Sequence, residues 1–392
     1  MKELTARPTD YFGLEELLTD DERLVRDTVR RFVDREVLPH IGGWWLRGEF
    51  PRHLIGALGA LGVLGANLPT EYGAAGVNNI TYGLIMQELD RGDSGLRSFA
   101  SVQGALVMYP IYQYGSEAQR KRWLPRLARG ELVGCFGLTE PTAGSDPGAM
   151  QMRAKRRGDG WELSGTKMWI TNGSFADVAL VWAKDDDGEI RGFLVERGAP
   201  GFSTHEIKTK ASMRASDTSE LVLDAVRLGE DDRLPEANGL RAALACLTQA
   251  RYGIAWGVVG AAGACFEEAL GYARDRISFG RPIAARQLIQ ERLVDMLTEI
   301  TKAQLLAYRL GQLKDAGKMR YTHVSLAKRN NVRAALEIAR AARSILGAAG
   351  ITLEHHAIRH AANLETVDTY EGTYDIHTLI LGRDLTGFDA FA

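Results

Sequence analysis

The sequence predicts an α+β protein that is mostly helical, in which a β domain lies between two helical domains. Apolar residues recur at helical spacing in the first third, and the last third contains long runs rich in Ala, Leu and charged residues. From about Leu132 to about Asn238, short apolar runs alternate with Gly, Asp and Asn. This order lacks the regular strand–helix alternation of dinucleotide-binding sheets. The predicted domains are an N-terminal helical domain (1–131), a middle β domain (132–238) and a C-terminal four-helix bundle (239–392).

Capping residues and proline mark the predicted helices of the first third. Thr19 and Glu22 have the spacing of a capping box, and Pro39 ends the apolar stripe that follows them. Segments 80–91 and 116–130 carry further helical stripes, and Gly130 suits a C-terminal cap. The first domain is therefore predicted to be helical throughout.

The period of the apolar residues changes twice in the remaining two thirds. Strands are predicted over 161–169, 178–182, 192–196 and 219–228, where β-branched and aromatic residues stand between turn residues. Long helices are predicted over 240–273, 287–314 and 325–346. Helices of this length indicate a bundle.

The composition excludes several classes of protein. The 392 residues include 48 Lys and Arg against 50 Asp and Glu, which argues against partners bound through bulk charge, such as nucleic acid or an anionic membrane. The apolar run 253–266 is too short to span a membrane. Three scattered cysteines and the pair His356 and His360 form no metal-binding motif, so no metal is expected. With no secretory signal in the first residues, we expect a cytoplasmic protein.

The most specific segment of the sequence is CFGLTEPTAGSD, residues 135–146. A strand leads here into a loop broken by Pro and Gly, which can present backbone N–H groups and the hydroxyls of Thr139 and Ser145 to an anion or to a group rich in acceptors. A turn between two strands, without a ligand, explains the same composition equally well.

This segment resembles the acyl-CoA dehydrogenase family when it is taken together with four later motifs. These are KMWITNG (167–173), RISFGRP (276–282), Gln287 and YEGT (370–373), and they extend the resemblance over essentially the whole chain. Within the family, the segments ARYGIAWGV (250–258), QLIQ (287–290) and KRNN (328–331) resemble the glutaryl-CoA dehydrogenase branch. The resemblance implies FAD as cofactor, a CoA thioester as substrate, an electron-transferring flavoprotein as oxidant and a homotetramer.

The resemblance also implies a cofactor site. Trp169 would cover the flavin ring, although burial in a core is the commoner fate of an isolated tryptophan. Thr139 would bind the pyrimidine end, and Arg276, Phe279 and Gln287 would hold the ADP half of FAD, typically that of a neighbouring subunit. The full implied set is Phe136, Leu138, Thr139, Gly144, Ser145, Trp169, Ile170, Thr171, Arg276, Phe279, Gln287, Leu346, Gly347, Thr373 and Asp375.

Glu371 matches the catalytic base of the family in its YEGT motif. Abstraction of an α-proton from a thioester requires a base with a pKa near the operating pH, and an apolar site can raise a carboxyl that far. The β-hydrogen would leave as hydride to the flavin, and an N–H group at Gly372 would stabilise the developing oxyanion. The alternative is a solvated carboxylate at the start of a helix, which is the commoner fate of Glu.

The implied substrate-binding residues are Arg97, Ser98, Ser145, Leu247, Arg251 and Gly372. Arg97 matches the arginine that binds the distal carboxylate in the glutaryl branch, and a guanidinium suits that task because it can pair bidentately with a carboxylate. A surface arginine paired with Asp90 or Asp93 is the alternative.

The branch implies oxidation of glutaryl-CoA to glutaconyl-CoA, followed by loss of CO2 to give crotonyl-CoA. Asp90 departs from the branch, where Glu is usual, and this change leaves a dehydrogenase without decarboxylation as an alternative. Oxidation of another short acyl-CoA or dicarboxylyl-CoA, direct reduction of O2 and a non-catalytic binding role are the remaining alternatives.

Overall fold

The N-terminal domain is helical in the computed structural model, which describes residues 8–390. The capping box predicted at its start is present: the Thr19 hydroxyl accepts a hydrogen bond from Glu22 N, and the Glu22 carboxylate accepts one from Thr19 N at 2.8 Å. The helices are α1 (Asp20–Phe32), α2 (Ile41–Arg47), α3 (Ile55–Ala60), α4 (Asn79–Gly92), α5 (Ser94–Ser101), α6 (Tyr109–Tyr114) and α7 (Glu117–Ala128). Single π-helical turns follow α1 and α5, over Val33–Val37 and Val102–Met108.

The middle domain is a mixed sheet. Its strands are β1 (Gly134–Gly137), β2 (Arg153–Arg157), β3 (Gly160–Thr171), β4 (Val178–Lys184), β5 (Ile190–Glu196), β6 (Phe202–Glu206), β7 (Thr218–Leu228) and β8 (Arg233–Asn238). Among the described residues their order is β6-β7-β3-β2-β4-β5-β8, and β1 pairs with β4 in parallel. Buried side chains of β3, β4 and β7 pack together and form a hydrophobic core that belongs to this domain.

The C-terminal domain consists of long helices joined by short connections. They are α8 (Gly239–Asp275), α9 (Gln287–Asp315), α10 (Tyr321–Ile345), α11 (Ala357–Thr369) and α12 (Tyr374–Thr386), and a two-stranded hairpin, β9 (Ile277–Ser278) and β10 (Arg281–Pro282), joins α8 to α9. Helix α10 packs against α8, α9, α11 and α12, and α8 also packs against α4 of the first domain. Helix α8 therefore makes the most extensive contact between the two helical domains.

The predicted fold class is confirmed, since helical, sheet and helical domains follow one another. The long helices were predictable because their stripes extend over many turns. Helix α5, which carries Arg97, is only eight residues long and buried throughout, so it has no polar face to reveal it. None of the described helices is long and apolar enough to cross a membrane.

Candidate active site

Glu371 lies in the short connection between α11 and α12. The Thr373 hydroxyl caps the start of α12 by accepting a hydrogen bond from Ile376 N at 3.2 Å. The chain therefore reverses its direction within the few residues between α11 and Thr373. Glu371 has a φ of 53°, a left-handed conformation that is uncommon for residues other than glycine. Two cations hold the connection: Arg251 Nε donates to the Glu371 carbonyl at 2.7 Å, and Lys328 Nζ donates to the carbonyl of Gly372 at 2.6 Å.

The environment of Glu371 suits a general base. Its Oε2 atom is buried and has no hydrogen-bond partner among residues 8–390. Burial raises the pKa of the carboxyl, while the positive charges of Lys328, Arg97 and Arg251 act in the opposite direction. The backbone N–H of Gly372 donates no hydrogen bond within residues 8–390, so it is available to an incoming carbonyl oxygen. The alternative of a solvated carboxylate is therefore wrong for Glu371.

Arg97 is fully buried on α5, so the surface position of the alternative is wrong, although its pairing with Asp90 is present. Its Nε donates to Asp90 Oδ2 at 2.9 Å, and Ser94 fixes the other oxygen of that carboxylate at 2.8 Å. Its Nη2 donates to the hydroxyl of Tyr370, the residue next to Glu371. Its Nη1 is buried and has no partner in the described part of the chain. A buried guanidinium with an unused donor can bind a carboxylate.

A second group of predicted residues meets where β1 and β3 end. Phe136 and Leu138 are buried. Thr139 is half-buried, and its backbone carbonyl accepts a hydrogen bond from Met168 N at 2.8 Å. The register of β3 shifts between Lys167 and Ile170, and this bulge gives Trp169 a φ of 63°. The Trp169 side chain is consequently 57% exposed instead of lying in the core.

A buried ion pair shapes the loop after β1. Lys167 Nζ donates to Glu140 Oε1 at 2.8 Å and to the carbonyl of Leu138 at 3.0 Å. Glu140 also accepts hydrogen bonds from Gln151 N at 2.6 Å and Met152 N at 3.0 Å. The loop containing Gly144 and Ser145, which are both exposed, is thereby closed by hydrogen bonds at both of its ends.

Two of the predicted cofactor residues have buried side chains. The Ile170 side chain packs in the core of the sheet, and the Leu346 side chain packs among the C-terminal helices. Their predicted contacts with the cofactor would therefore be made mainly by the backbone. The neighbouring Thr171 and Gly347 are half-buried and exposed, respectively.

The remaining predicted residues lie in three places. Ser98 is buried on α5 next to Arg97, and Leu247 is half-buried on α8, four residues before Arg251. Arg276, Phe279 and Gln287 are exposed where the hairpin joins α8 to α9. Thr373 caps α12, and Asp375 is exposed in its first turn.

Sequence reasoning missed several residues around Glu371. Lys328 and His377 are buried beside it, and Tyr82 and Tyr370 are near enough for its negative charge to raise the pKa of their hydroxyls. No spacing in the sequence connects residue 328 with residue 371, because α10 meets the connection only in the folded protein. Tyr370 belongs to the YEGT motif and Lys328 to the KRNN motif, and these memberships were the available signals.

Comparisons with known proteins agree with this arrangement. Family models match in order: acyl-CoA dehydrogenase N-terminal domain over residues 19–131, middle domain over 135–226 and C-terminal domain over 237–386. A crystal structure of glutaryl-CoA dehydrogenase from Mycobacterium smegmatis is 55% identical, with a TM-score of 0.97, and the match covers 98% of this chain and 100% of that one. A second such structure, in complex with FADH2, is 52% identical, with a TM-score of 0.97, over 99% and 100% of the two chains.

Curated relatives are more distant. The human mitochondrial short-chain specific acyl-CoA dehydrogenase is 34% identical over 382 residues, which are 96% of this chain and 92% of the relative. Glutaryl-CoA dehydrogenase of Desulfococcus multivorans is 34% identical over 380 residues, 94% of this chain and 97% of the relative. The chain therefore belongs to the acyl-CoA dehydrogenase family. It is an FAD-dependent acyl-CoA dehydrogenase, and within the family it is similar to glutaryl-CoA dehydrogenases.

The residues at the ends of β1 and β3 fit a flavin. Trp169 presents an aromatic face that the described residues leave largely uncovered, and a planar ring system would cover it. Phe136 on β1 and Leu138 just after it supply apolar side chains, and the exposed Ser145 offers a hydroxyl in the loop that follows β1. These features are those expected of a site that holds an aromatic ring and a polar chain.

Proposed function

We propose that this enzyme oxidises glutaryl-CoA between its α and β carbons and then releases CO2, giving crotonyl-CoA. Arg97 carries the proposal: it is buried, it is fixed by Asp90 and Tyr370, and its Nη1 has no partner within the described residues. A fatty acyl chain would leave this donor unsatisfied, which is costly in a buried site, whereas a distal carboxylate would satisfy it. The identity of 52–55% to two glutaryl-CoA dehydrogenases supports the same substrate.

Glu371 acts as the base in the first step. It removes the α-proton of the thioester, and the N–H of Gly372 stabilises the charge that develops on the carbonyl oxygen. FAD, when bound, accepts the β-hydrogen with its electron pair. Arg97 fixes the far end of the substrate, so the distances from the thioester to Glu371 and from the β-carbon to the cofactor are set together.

The second step uses the same residues. Loss of CO2 requires the distal carboxylate to leave its ion pair with Arg97, while protonated Glu371 can return a proton to the carbon skeleton. Asp90 is one methylene shorter than the Glu usual in the branch, yet it reaches Arg97 Nε at 2.9 Å. The shorter carboxylate therefore still pairs with Arg97, and this pairing favours decarboxylation over release of glutaconyl-CoA.

Further parts of the proposal concern the partners. We propose an electron-transferring flavoprotein as the oxidant, a homotetramer as the assembly and the cytoplasm as the location. Large apolar side chains on the hairpin and α9 are exposed in the single chain and support assembly.

The proposal is tested by identifying the CoA products. Purified holoenzyme is mixed with glutaryl-CoA and an electron acceptor, and the products are measured by mass. Crotonyl-CoA with CO2 is expected, glutaconyl-CoA would remove the second step, and turnover of butyryl-CoA alone would overturn the substrate. Consumption of O2 without an acceptor protein would indicate an oxidase.

Two variants assign the roles. Glu371→Gln is expected to bind FAD but to abolish bleaching of the flavin by substrate. Arg97→Met is expected to lower kcat/KM for glutaryl-CoA at least about 100-fold, because a buried charge pair is lost, and to affect butyryl-CoA much less. Bleaching that persists in the first variant would exclude Glu371 as the base.

A further inference from the structure

Lys328 connects α10 to the chain on both sides of Glu371. Its side chain is buried, and its Nζ donates to the carbonyl of Tyr370 at 2.5 Å and to that of Gly372 at 2.6 Å. Arg251 binds the carbonyl between them, that of Glu371 itself. Three consecutive carbonyls are therefore held by two cations from different helices.

These bonds account for the unusual backbone of the connection. Glu371 has a φ of 53°, which residues other than glycine rarely adopt, and Gly372 follows it with a φ of 91°, a conformation that glycine adopts freely. A strained backbone persists only where its surroundings hold it in place. Lys328 and Arg251 hold the backbone of the connection from two helices, and the fixed backbone sets the direction of the Glu371 side chain.

Lys328 also brings a positive charge to a buried carboxylate. Burial lowers the pKa of Lys328 to about 7, although the charge of Glu371 acts in the opposite direction. Two hydrogen bonds to carbonyl oxygens favour the charged ammonium, because charge-assisted hydrogen bonds are the stronger ones. We therefore take Lys328 as protonated in the resting enzyme.

The other groups around Glu371 have different tasks. Arg97 is paired with Asp90 and Tyr370, and Arg251 with the Glu371 carbonyl. Burial lowers the pKa of His377 to about 2, so its ring contributes no charge. The titratable and charged groups that face the pair Lys328 and Glu371 are Tyr82 and Asp90 on α4, Arg97 on α5, Arg251 on α8, Asp368 on α11, Tyr370 in the connection and His377 on α12.

We propose that Lys328 is a positioning residue for the base: it fixes the Glu371 connection through two carbonyls and supplies the positive charge that keeps the buried carboxylate ionised. This inference rests on the proposed role of Glu371. It predicts that the charge and the hydrogen bonds of Lys328 have separate effects. Loss of the charge moves the titration of the base, whereas loss of the hydrogen bonds lowers the rate at every pH.

Three substitutions separate these effects. Lys328→Gln keeps N–H donors and loses the charge, Lys328→Arg keeps the charge, and Lys328→Met loses both. The rate of flavin bleaching by substrate is measured against pH in each holoenzyme. Because burial raises the pKa of Glu371, the wild-type rate is expected to rise with pH through a range above that of an ordinary carboxyl.

This rise of the rate with pH is the acidic limb of the profile. In Lys328→Gln and Lys328→Met the acidic limb is expected to move to higher pH by about one unit or more. In Lys328→Arg it is expected to stay, even where the plateau rate falls. An unmoved limb in Lys328→Gln would overturn the proposal. If neither neutral variant retains FAD, Lys328→Arg decides, because a limb displaced with the charge still present would overturn it.

A second measurement avoids turnover. In holoenzyme labelled with 13C-glutamate, the infrared band of the protonated carboxyl that is lost in Glu371→Gln is titrated directly. The titration midpoint is expected to rise in Lys328→Gln by the same amount as the kinetic limb, and an unchanged midpoint would overturn the proposal. Bleaching of the flavin by substrate that persists in Glu371→Gln, in contrast, would overturn the role of Glu371 itself.

Discussion

At the residue scale, the Asp90–Arg97 pair depends on a glycine in the helix facing it. A Cβ atom placed on Gly257 of α8 would lie 2.6 Å from Asp90 Oδ2 and 3.2 Å from Arg97 Nε. The first distance is shorter than a van der Waals contact allows, and both ions are buried, so neither has space to move aside. Gly257 therefore makes room for the proposed carboxylate-binding arginine.

We expect Gly257→Ala to lower kcat/KM for glutaryl-CoA by roughly tenfold or more, because overpacking displaces Arg97 from its position. Bleaching by butyryl-CoA should fall less. Gly271→Ala on the same helix is the matched control, since a Cβ there meets nothing within 4 Å. Steady-state kinetics with both substrates check this, and unchanged kinetics with glutaryl-CoA would show that Arg97 tolerates the methyl group.

Single residues also separate what the sequence could predict from what it could not. Glu371 and Arg97 were predicted because each lies in a local motif. Arg97 is buried and Glu371 is half-buried with a buried Oε2 atom, which agrees with the predicted roles. Lys328, Gly257 and His377 escaped prediction because their importance arises from contacts between distant segments. A lysine in a helix rich in charged residues is ordinarily solvated, and its burial here becomes visible only in the fold.

At the scale of elements, the loop after β1 depends on a buried ion pair with β3. Lys167 contacts both Glu140 and the Leu138 carbonyl, so it fixes the segment that precedes the exposed Ser145. The same strand ends in the bulge that exposes Trp169. Strand β3 thus positions both the loop and the aromatic face predicted to contact FAD.

Lys167→Met is expected to lower the free energy of unfolding by about 3 kcal/mol, because it leaves the Glu140 carboxylate buried without its cation. FAD retention should fall with it. Lys155→Met, at an exposed position of β2, is the control. Thermal denaturation and the ratio of flavin to protein absorbance check both effects, and a variant as stable and as yellow as the control would contradict them.

Elements were predictable to the extent that their pattern repeats. Helices α8, α9 and α10 extend over many turns, and strands β4 and β5 flank a turn rich in Asp. Helix α5 is short and buried, and the connection at 370–373 is short and half-buried, so tertiary contacts decide their conformation. The buried side chains of Ile170 and Leu346 have the same origin, because a motif identifies a segment near a ligand and not which side chains face it.

At the scale of the whole molecule, one buried amide joins the three domains. Asn363 Oδ1 on α11 accepts hydrogen bonds from Trp45 Nε1 on α2 and from Met213 N in the β domain, each at 2.9 Å. Its Nδ2 donates to Asp93 at 2.9 Å, and Asp93 also binds Arg359 and caps α5 at Gly95. The position of Arg97 is consequently tied to all three domains.

The exposed apolar residues of the C-terminal domain belong to the same scale. Phe279 is 95% exposed at the hairpin, and Ile277 and Leu288 beside it are also largely exposed. We expect Phe279→Glu to reduce the assembled mass and to weaken FAD binding by about tenfold or more, because an aromatic contact with a neighbouring subunit is lost. Leu24→Glu, at an exposed position of α1, is the control. Light scattering and flavin content measure both, and a tetramer with full flavin in Phe279→Glu would place the interface elsewhere.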